Sequence, residues 1–401
     1  LVAAESPSHV AESQRPVQAL VAARLEAVGL RTRVYPGRRT GGFVFARPPG
    51  RPAACQLLVG DTDTVWPLGT LDTMPLEVRG PVMAGPGVFD MKAGLAIMVF
   101  ALEALRALDL APAVAPVVLI NADEEIGSRE SGGHIARLAR LADRALILEP
   151  GAGEAGALKT ARKGIGAFQV VAHGRAAHAG LEPERGASAI LELAHVIRRL
   201  HDLNDPASGV SVNVGVIEGG LRSNVVAPEA RAAVDVRVPT MGHARAVEAA
   251  ILGLAPTVPG VSLTVTGSIG RRPMERTPAN RRLWAAAHAA GRALGLDLAE
   301  TAGGGEAARN ITSQFTTTLD GLGAVGDGAP PRLRPASPPA PRGRGCASGP
   351  PPAAQPLPVP GQAPAPARAG AARTAPRVSS TAATNSPTRR SLRSRRLCGS
   401  L

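Results

Sequence analysis

Short apolar runs punctuate the first 150 residues of this 401-residue chain, and each ends on acids. Leu57-Leu58-Val59-Gly60 leads into Asp61-Thr62-Asp63-Thr64, Val117-Val118-Leu119-Ile120 into Asn121-Ala122-Asp123-Glu124-Glu125, and Ala145-Leu146-Ile147-Leu148 into Glu149-Pro150. Runs of this length without polar alternation predict strands buried on both faces. Between them the period changes. Val17, Leu20, Val21, Leu25 and Val28 recur at helical spacing ahead of Gly29, a plausible C-terminal cap, and apolar positions over 93–105 predict a further helix. Strands alternating with helices argue for a mostly parallel sheet covered on both faces.

From Gly164 the grammar is different. A strand at 167–172, a helix at 187–200, strands at 210–217 and 230–238, a helix at 243–254 and a strand at 262–266 spell β-α-β-β-α-β, the split-βαβ pattern of a small ferredoxin-like domain inserted into the larger one. After about residue 268 the chain returns to the larger domain, with a helix at 279–294. The organisation read from the sequence is therefore 1–163 and 269–329 as two parts of the large domain, 164–268 as the insertion, and 330–401 as a tail.

In open α/β sheets, ligands bind beyond the carboxyl ends of the strands. Three acidic segments sit there, and Asp90 adds a fourth in the Gly-rich stretch Gly85-Pro86-Gly87-Val88-Phe89-Asp90-Met91-Lys92-Ala93-Gly94. Taken singly, each acid reads as a solvated loop carboxylate or a helix cap. Taken together in one crevice they would repel unless a cation or shared protons compensated them, so a metal site is the economical reading.

Charge and composition narrow the partners. The chain carries a formal +13, but residues 330–401 hold twelve arginines and no Asp, Glu or Lys, so the preceding 329 residues are close to neutral at about +1. That distribution, with no aromatic residue in the tail, argues against a nucleic-acid partner. No apolar run approaches the ~20 residues of a membrane span, and the opening residues lack a signal-peptide pattern, so a cytoplasmic location and no membrane partner are expected. A missing N-terminal piece, including the initiator Met, is also expected. Cys55, Cys346 and Cys398 have no paired spacing. The tail has sixteen prolines and almost nothing to bury, which predicts disorder. Its Pro, Arg, Ala, Gly and Ser composition is also what a GC-rich gene yields when read out of frame, so a frame change near Ala329 is the expected origin; a true Pro/Arg-rich tail is the alternative.

The ordered motifs resemble those of the di-zinc metallopeptidase family that includes glutamate carboxypeptidase, acetylornithine deacetylase and succinyl-diaminopimelate desuccinylase. Gly60-Asp61-Thr62-Asp63-Thr64-Val65 follows the family's Gly-His-x-Asp-Thr-Val except at position 61. Gly87-Val88-Phe89-Asp90-Met91-Lys92-Ala93-Gly94, Asp123-Glu124-Glu125-Ile126-Gly127-Ser128, Leu148-Glu149-Pro150, Gly174-Arg175-Ala176-Ala177-His178-Ala179-Gly180 and Asn224-Val225-Val226 follow in order. The resemblance runs from residue 1 to about 329, and Val65-Trp66-Pro67-Leu68-Gly69-Thr70 is most like the glutamate carboxypeptidase branch.

The resemblance implies an α/β catalytic domain with an inserted dimerisation domain, two zinc ions and hydrolysis of amide bonds in N-acyl amino acids or C-terminal glutamates. It implies Asp90 as the carboxylate bridging two metals, Glu125 as ligand of one and Glu149 as ligand of the other, Asp61 at the position of the family's first metal ligand, and Glu124 as general base. Asp63 would orient the ligand at position 61. His178 would stabilise the developing oxyanion across a homodimer, while Asn224 and Arg237 would hold the substrate's carboxylate. For Arg237 an ion pair with Asp235, on the same face of one strand, is an equal alternative. Two ligands depart from the pattern: Asp61 replaces a His, and no His follows His288, so the family's last ligand after Gly326-Asp327-Gly328-Ala329 is missing. An all-carboxylate set favours a harder ion such as Mn²⁺ or Mg²⁺. The alternative function is a catalytically impaired homologue or damaged gene product that keeps the fold, with dimerisation or ligand binding as its remaining role.

Overall fold

The acidic strand ends are brought level by a six-stranded sheet. In the computed structural model, which describes residues 1–50, 52–303 and 309–326, the strands lie in the order Arg31–Tyr35, Phe43–Arg47, Ala115–Asn121, Cys55–Asp61, Arg144–Ile147 and Thr317–Leu319. Neighbours are parallel from Ala115–Asn121 onward, and Phe43–Arg47 is paired antiparallel on both sides. Asp61 is paired with Asn121 and Val59 with Ile147, so the three acid-bearing loops leave the sheet at one edge.

The continuous apolar runs have a structural reason. Leu58, Val118, Ile120 and Leu148 pack with Val21 and Leu25 of helix Gln14–Ala27 and with Leu95, Met98 and Val99 of helix Ala93–Ala107. Alternate residues point to the opposite face, and Leu57, Val59, Val117, Leu119 and Ile147 are also buried. Both faces are thus covered.

The second sheet has four strands in the order Ser211–Gly219, Glu229–Val238, Gly164–His173 and Ser262–Arg271, every neighbour antiparallel. Helices Ala189–His201 and Met241–Leu252 cover one face, where Leu193, Val196, Leu200, Val247 and Ile251 meet Phe168, Val170, Val234 and Val236. Burial alternates along Gly164–His173 and Glu229–Val238, so the other face is more open.

Element ends moved where local bonding outweighed periodicity. The helix expected from 243 begins at Met241 because the Thr240 hydroxyl caps it, accepting from the His243 amide at 3.2 Å. The strand expected over 262–266 runs on to Arg271 because its backbone continues to pair with Gly164–His173. The readings of residues 330–401, disorder and frame change alike, lie outside the described residues.

One glycine sets how closely a helix approaches the site. A Cβ on Gly94, in the first turn of Ala93–Ala107, would lie 1.9 Å from the Leu148 carbonyl oxygen, next to Glu149. Gly94→Ala is therefore expected to destabilise the fold by about 1–3 kcal/mol through overpacking. Denaturant unfolding measures it, and an unchanged midpoint would show that helix and strand can separate at no cost.

Candidate metal centre

Strand Cys55–Asp61 ends on a carboxylate with nowhere to go but inward. Asp61 is 2% exposed, Glu124 8% and Glu149 5%. Each offers a carboxylate oxygen, and the three oxygens lie within 4.8 Å of one another. The Asp61 amide points at the Met91 sulfur, 3.3 Å away, which ties the strand end to the turn bearing Asp90. Asp90 is solvent-exposed in the turn Val88–Lys92, and Glu125 is half-buried. Neither belongs to the tight trio, although the charge of Asp90 acts on both Asp61 and Glu125.

The other two acids at this edge hold the loops. Asp63 accepts from the Ser8 hydroxyl at 2.7 Å and from the amides of Glu124 and Glu125 at 3.1 Å each. Its bonds position the loop bearing the proposed base; a carboxylate at position 61 has no N–H to donate to it, as an imidazole would have. Asp123 accepts from the Asn121 side chain, the Ser131 hydroxyl and the amides of Glu130 and Ser131. Both are spent on structure, which leaves the trio, with Asp90 and Glu125 beside it, for a ligand.

Electrostatics single out the same place. Burial, then the charges of Asp63, Glu149, Glu124 and Asp90, hold the Asp61 carboxyl well above its usual range. Burial also raises Asp63 to about 6 against the pull of its hydrogen bonds. Glu125 rises to about 8, by burial and then by the charges of Asp90, Asp63 and Glu149. A cation at this edge not singled out from the sequence is Lys92, whose buried ammonium donates to the Ala4 carbonyl at 2.8 Å. Burial lowers it to about 8 although Asp61, Glu5 and Asp63 pull the other way. Its signal in the sequence was a charge at the mouth of a largely apolar helix, two residues after Asp90.

The donor set fits a divalent cation: oxygens of like charge, crowded and dry, whose repulsion a cation relieves. Carboxylates accept zinc, and without an imidazole they favour harder ions. The three residues that the resemblance assigns to substrate sit elsewhere, on the four-stranded domain. His178 bridges to Val225, and the Ala179 amide donates to the Asn224 carbonyl at 3.0 Å, so His178 and Asn224 share one exposed corner. Arg237 makes a two-bond ion pair with Asp235, Nε to Oδ1 at 2.8 Å and Nη2 to Oδ2 at 3.0 Å.

The raised carboxyls have a consequence for stability. Glu125 and Asp63 hold protons in the fold up to about pH 8 and 6, while an unfolded chain releases them near pH 4. The folded state binds more protons between those limits, so stability falls as pH rises through them. Chelated protein is expected to lose several degrees of melting temperature between pH 5 and 8, and added Mn²⁺ or Zn²⁺ to reduce the loss. A flat or rising melting temperature in chelator would contradict the crowding.

Comparison with known proteins bears on the fold. The family model for a peptidase dimerisation domain matches residues 160–258, which contain most of the four-stranded sheet. Carboxypeptidase G2 of Pseudomonas sp. (strain RS-16) is 33% identical over 201 residues, 50% of this chain and 48% of that protein. A probable carboxypeptidase of Aspergillus clavatus is 33% identical over 235 residues, 53% of this chain and 51% of that one. The chain thus spans about half the length of the curated relatives it matches. Among solved structures, aminopeptidase PepT of Bacillus cereus superposes with a TM-score of 0.65 at 20% identity, covering 81% of this chain and 87% of that one. A dinuclear metal-binding peptidase of the M20 family from Bacillus subtilis superposes with a TM-score of 0.55 at 13% identity, covering 79% and 83%. Residues 160–258 match the M20 peptidase dimerisation domain, about half of the chain is 33% identical to carboxypeptidases, and the fold is similar to that of M20 family metallopeptidases.

Proposed function

We propose that this chain is built to hydrolyse amide bonds of the carboxypeptidase or deacylase type, in N-acyl amino acids or small peptides ending in a glutamate-like residue. The observation that carries the reading is the convergence of Asp61, Glu124 and Glu149 at the carboxyl edge of the sheet. Divalent cations would be held by Asp61, Glu125 and Glu149 with Asp90 between them, and would supply an acidified water and a polarised carbonyl. Glu124 takes the proton from the attacking water and delivers it to the departing amine nitrogen as the C–N bond breaks. Asp63 keeps the Glu124 backbone in place through the bonds described above.

The inserted domain supplies the substrate side. The Gly180 amide donates to His178 Nδ1 at 3.2 Å, which leaves the neutral ring with its proton on Nε2, a donor suited to a carbonyl oxygen gaining charge. Asn224 lies beside it. Arg237 would take a substrate carboxylate in place of Asp235, since a guanidinium fork matches either carboxylate. The domain would also form a homodimer. Its edge strand Ser211–Gly219 leaves Val216 57% and Ile217 61% exposed, with one row of backbone groups that pairs with no other strand among the described residues. No helix among the described residues is long and apolar enough to cross a membrane.

A second reading, an impaired homologue, rests on one observation: the candidate cluster among the described residues contains carboxylates alone. The two separate by experiment. Hydrolysis of an N-acyl-glutamate by the chain as it stands is expected to be weak and chelator-sensitive, and Glu124→Gln to lower it by a further factor of about 10²–10⁴. Asp61→His is expected to tighten zinc binding about tenfold or more by restoring an imidazole. Calorimetry finding no divalent cation bound at any position would sink the hydrolase reading; full, chelator-sensitive turnover would dismiss the impaired one.

A further inference from the structure

Residues 4–10 cross the back of the acidic cluster as a strap seated almost wholly by polar bonds. The Ser6 hydroxyl donates to the Thr62 carbonyl at 2.7 Å, and the Thr64 amide donates to the Ser6 carbonyl at 3.0 Å. Pro7 bridges alongside Thr64. Gln14 clamps both sides, donating to the carbonyls of Ser6 and Pro7 while accepting from the Thr62 hydroxyl. The Glu5 carboxylate takes the amides of Gly69 and Leu71, and Lys92 donates to the Ala4 carbonyl. Ser6, Pro7 and Ser8 are buried, yet no large apolar side chain among residues 4–10 is. Segments held this way open locally at lower cost than core segments.

One bond in this set differs from the rest. The Ser8 hydroxyl reaches a side-chain carboxylate, Asp63, whose two oxygens also receive the Glu124 and Glu125 amides. A seated strap thus orients Asp63, and Asp63 orients the loop that carries two of the site's acids. We propose that strap seating and cation occupancy of the cluster are one linked equilibrium, with Ser8 as the positioning residue that transmits it. Linkage is reciprocal: whatever the seated strap adds to cation affinity, the bound cation adds to strap seating. The inference rests on the cation-binding reading above and extends it to a segment outside the ligand set.

Hydrogen exchange on the full chain, with and without Mn²⁺, tests it. Mn²⁺ is expected to slow exchange in residues 4–10 about tenfold, within the range usual for coupled sites. Ser6→Ala weakens the strap but keeps its link to Asp63, so the slowing by Mn²⁺ should persist. Ser8→Ala should abolish that slowing and weaken Mn²⁺ binding about tenfold by calorimetry. In chelator, Ser8→Ala should also speed exchange of the Glu124 and Glu125 amides. Mn²⁺ bound with no effect on strap exchange, or an equal effect in Ser8→Ala and the unaltered chain, overturns the linkage and leaves the hydrolase reading standing. If the unaltered chain binds no Mn²⁺, that reading and the linkage both fall; unchanged Glu124 and Glu125 exchange in metal-free Ser8→Ala then removes the positioning role as well.

Discussion

Holding several carboxylates dry and close together is the constraint on which this edge of the molecule depends. Unit charges 4 Å apart repel by about 4 kcal/mol at an effective dielectric near 20, and burial adds to that cost. At Asp63 and Asp123 backbone amides and hydroxyls offset part of it. Asp61, Glu124 and Glu149 are left crowded, and Lys92 offsets them only in part because its own burial weakens its charge. A bound cation is the remaining way to relieve the repulsion without dismantling the sheet edge.

The chemistry is divided between two sheets. Carboxylates stand on the parallel one; His178, Asn224 and Arg237 stand on the antiparallel one. The passages between them are paired with each other, since Arg162 and Met274 exchange backbone bonds of 2.8 and 3.0 Å. Close by, a Cβ on Gly127 would lie 2.9 Å from the Arg271 guanidinium, so the loop after Glu124 and Glu125 lies against the last strand of the inserted domain. Position 61 is where this chain departs from the motif it resembles in a way that electrostatics can register: a carboxyl stands in place of an imidazole at the most buried point of the trio.

The fold was legible to the extent that burial is two-sided or one-sided. Strands covered on both faces read as unbroken apolar runs, and the β-α-β-β-α-β order of the insertion survives in the structure with ends displaced by a few residues. Strand Thr317–Leu319 was not foreseen, because three residues carry no period and its place is set by pairing with Arg144–Ile147. Lys92 was passed over as a letter in a motif because burial of a charge is a property of its surroundings.

The sequence by itself determined which residue types end each strand, and so that acids would collect at one edge of a parallel sheet; strand direction and the right-handed return of each helix leave little other choice. What only the tertiary structure decided was how those acids divide the work. Asp63 and Asp61 are two residues apart and alike on paper, yet one is ringed by donors and the other faces Glu124 and Glu149. Arg237, open to two readings, is paired with Asp235 in the folded chain, and Ser8, unremarked in the sequence, meets Asp63 across the fold. Hydrogen-bond partners and local dielectric are three-dimensional quantities, and the order of residues along a chain does not contain them.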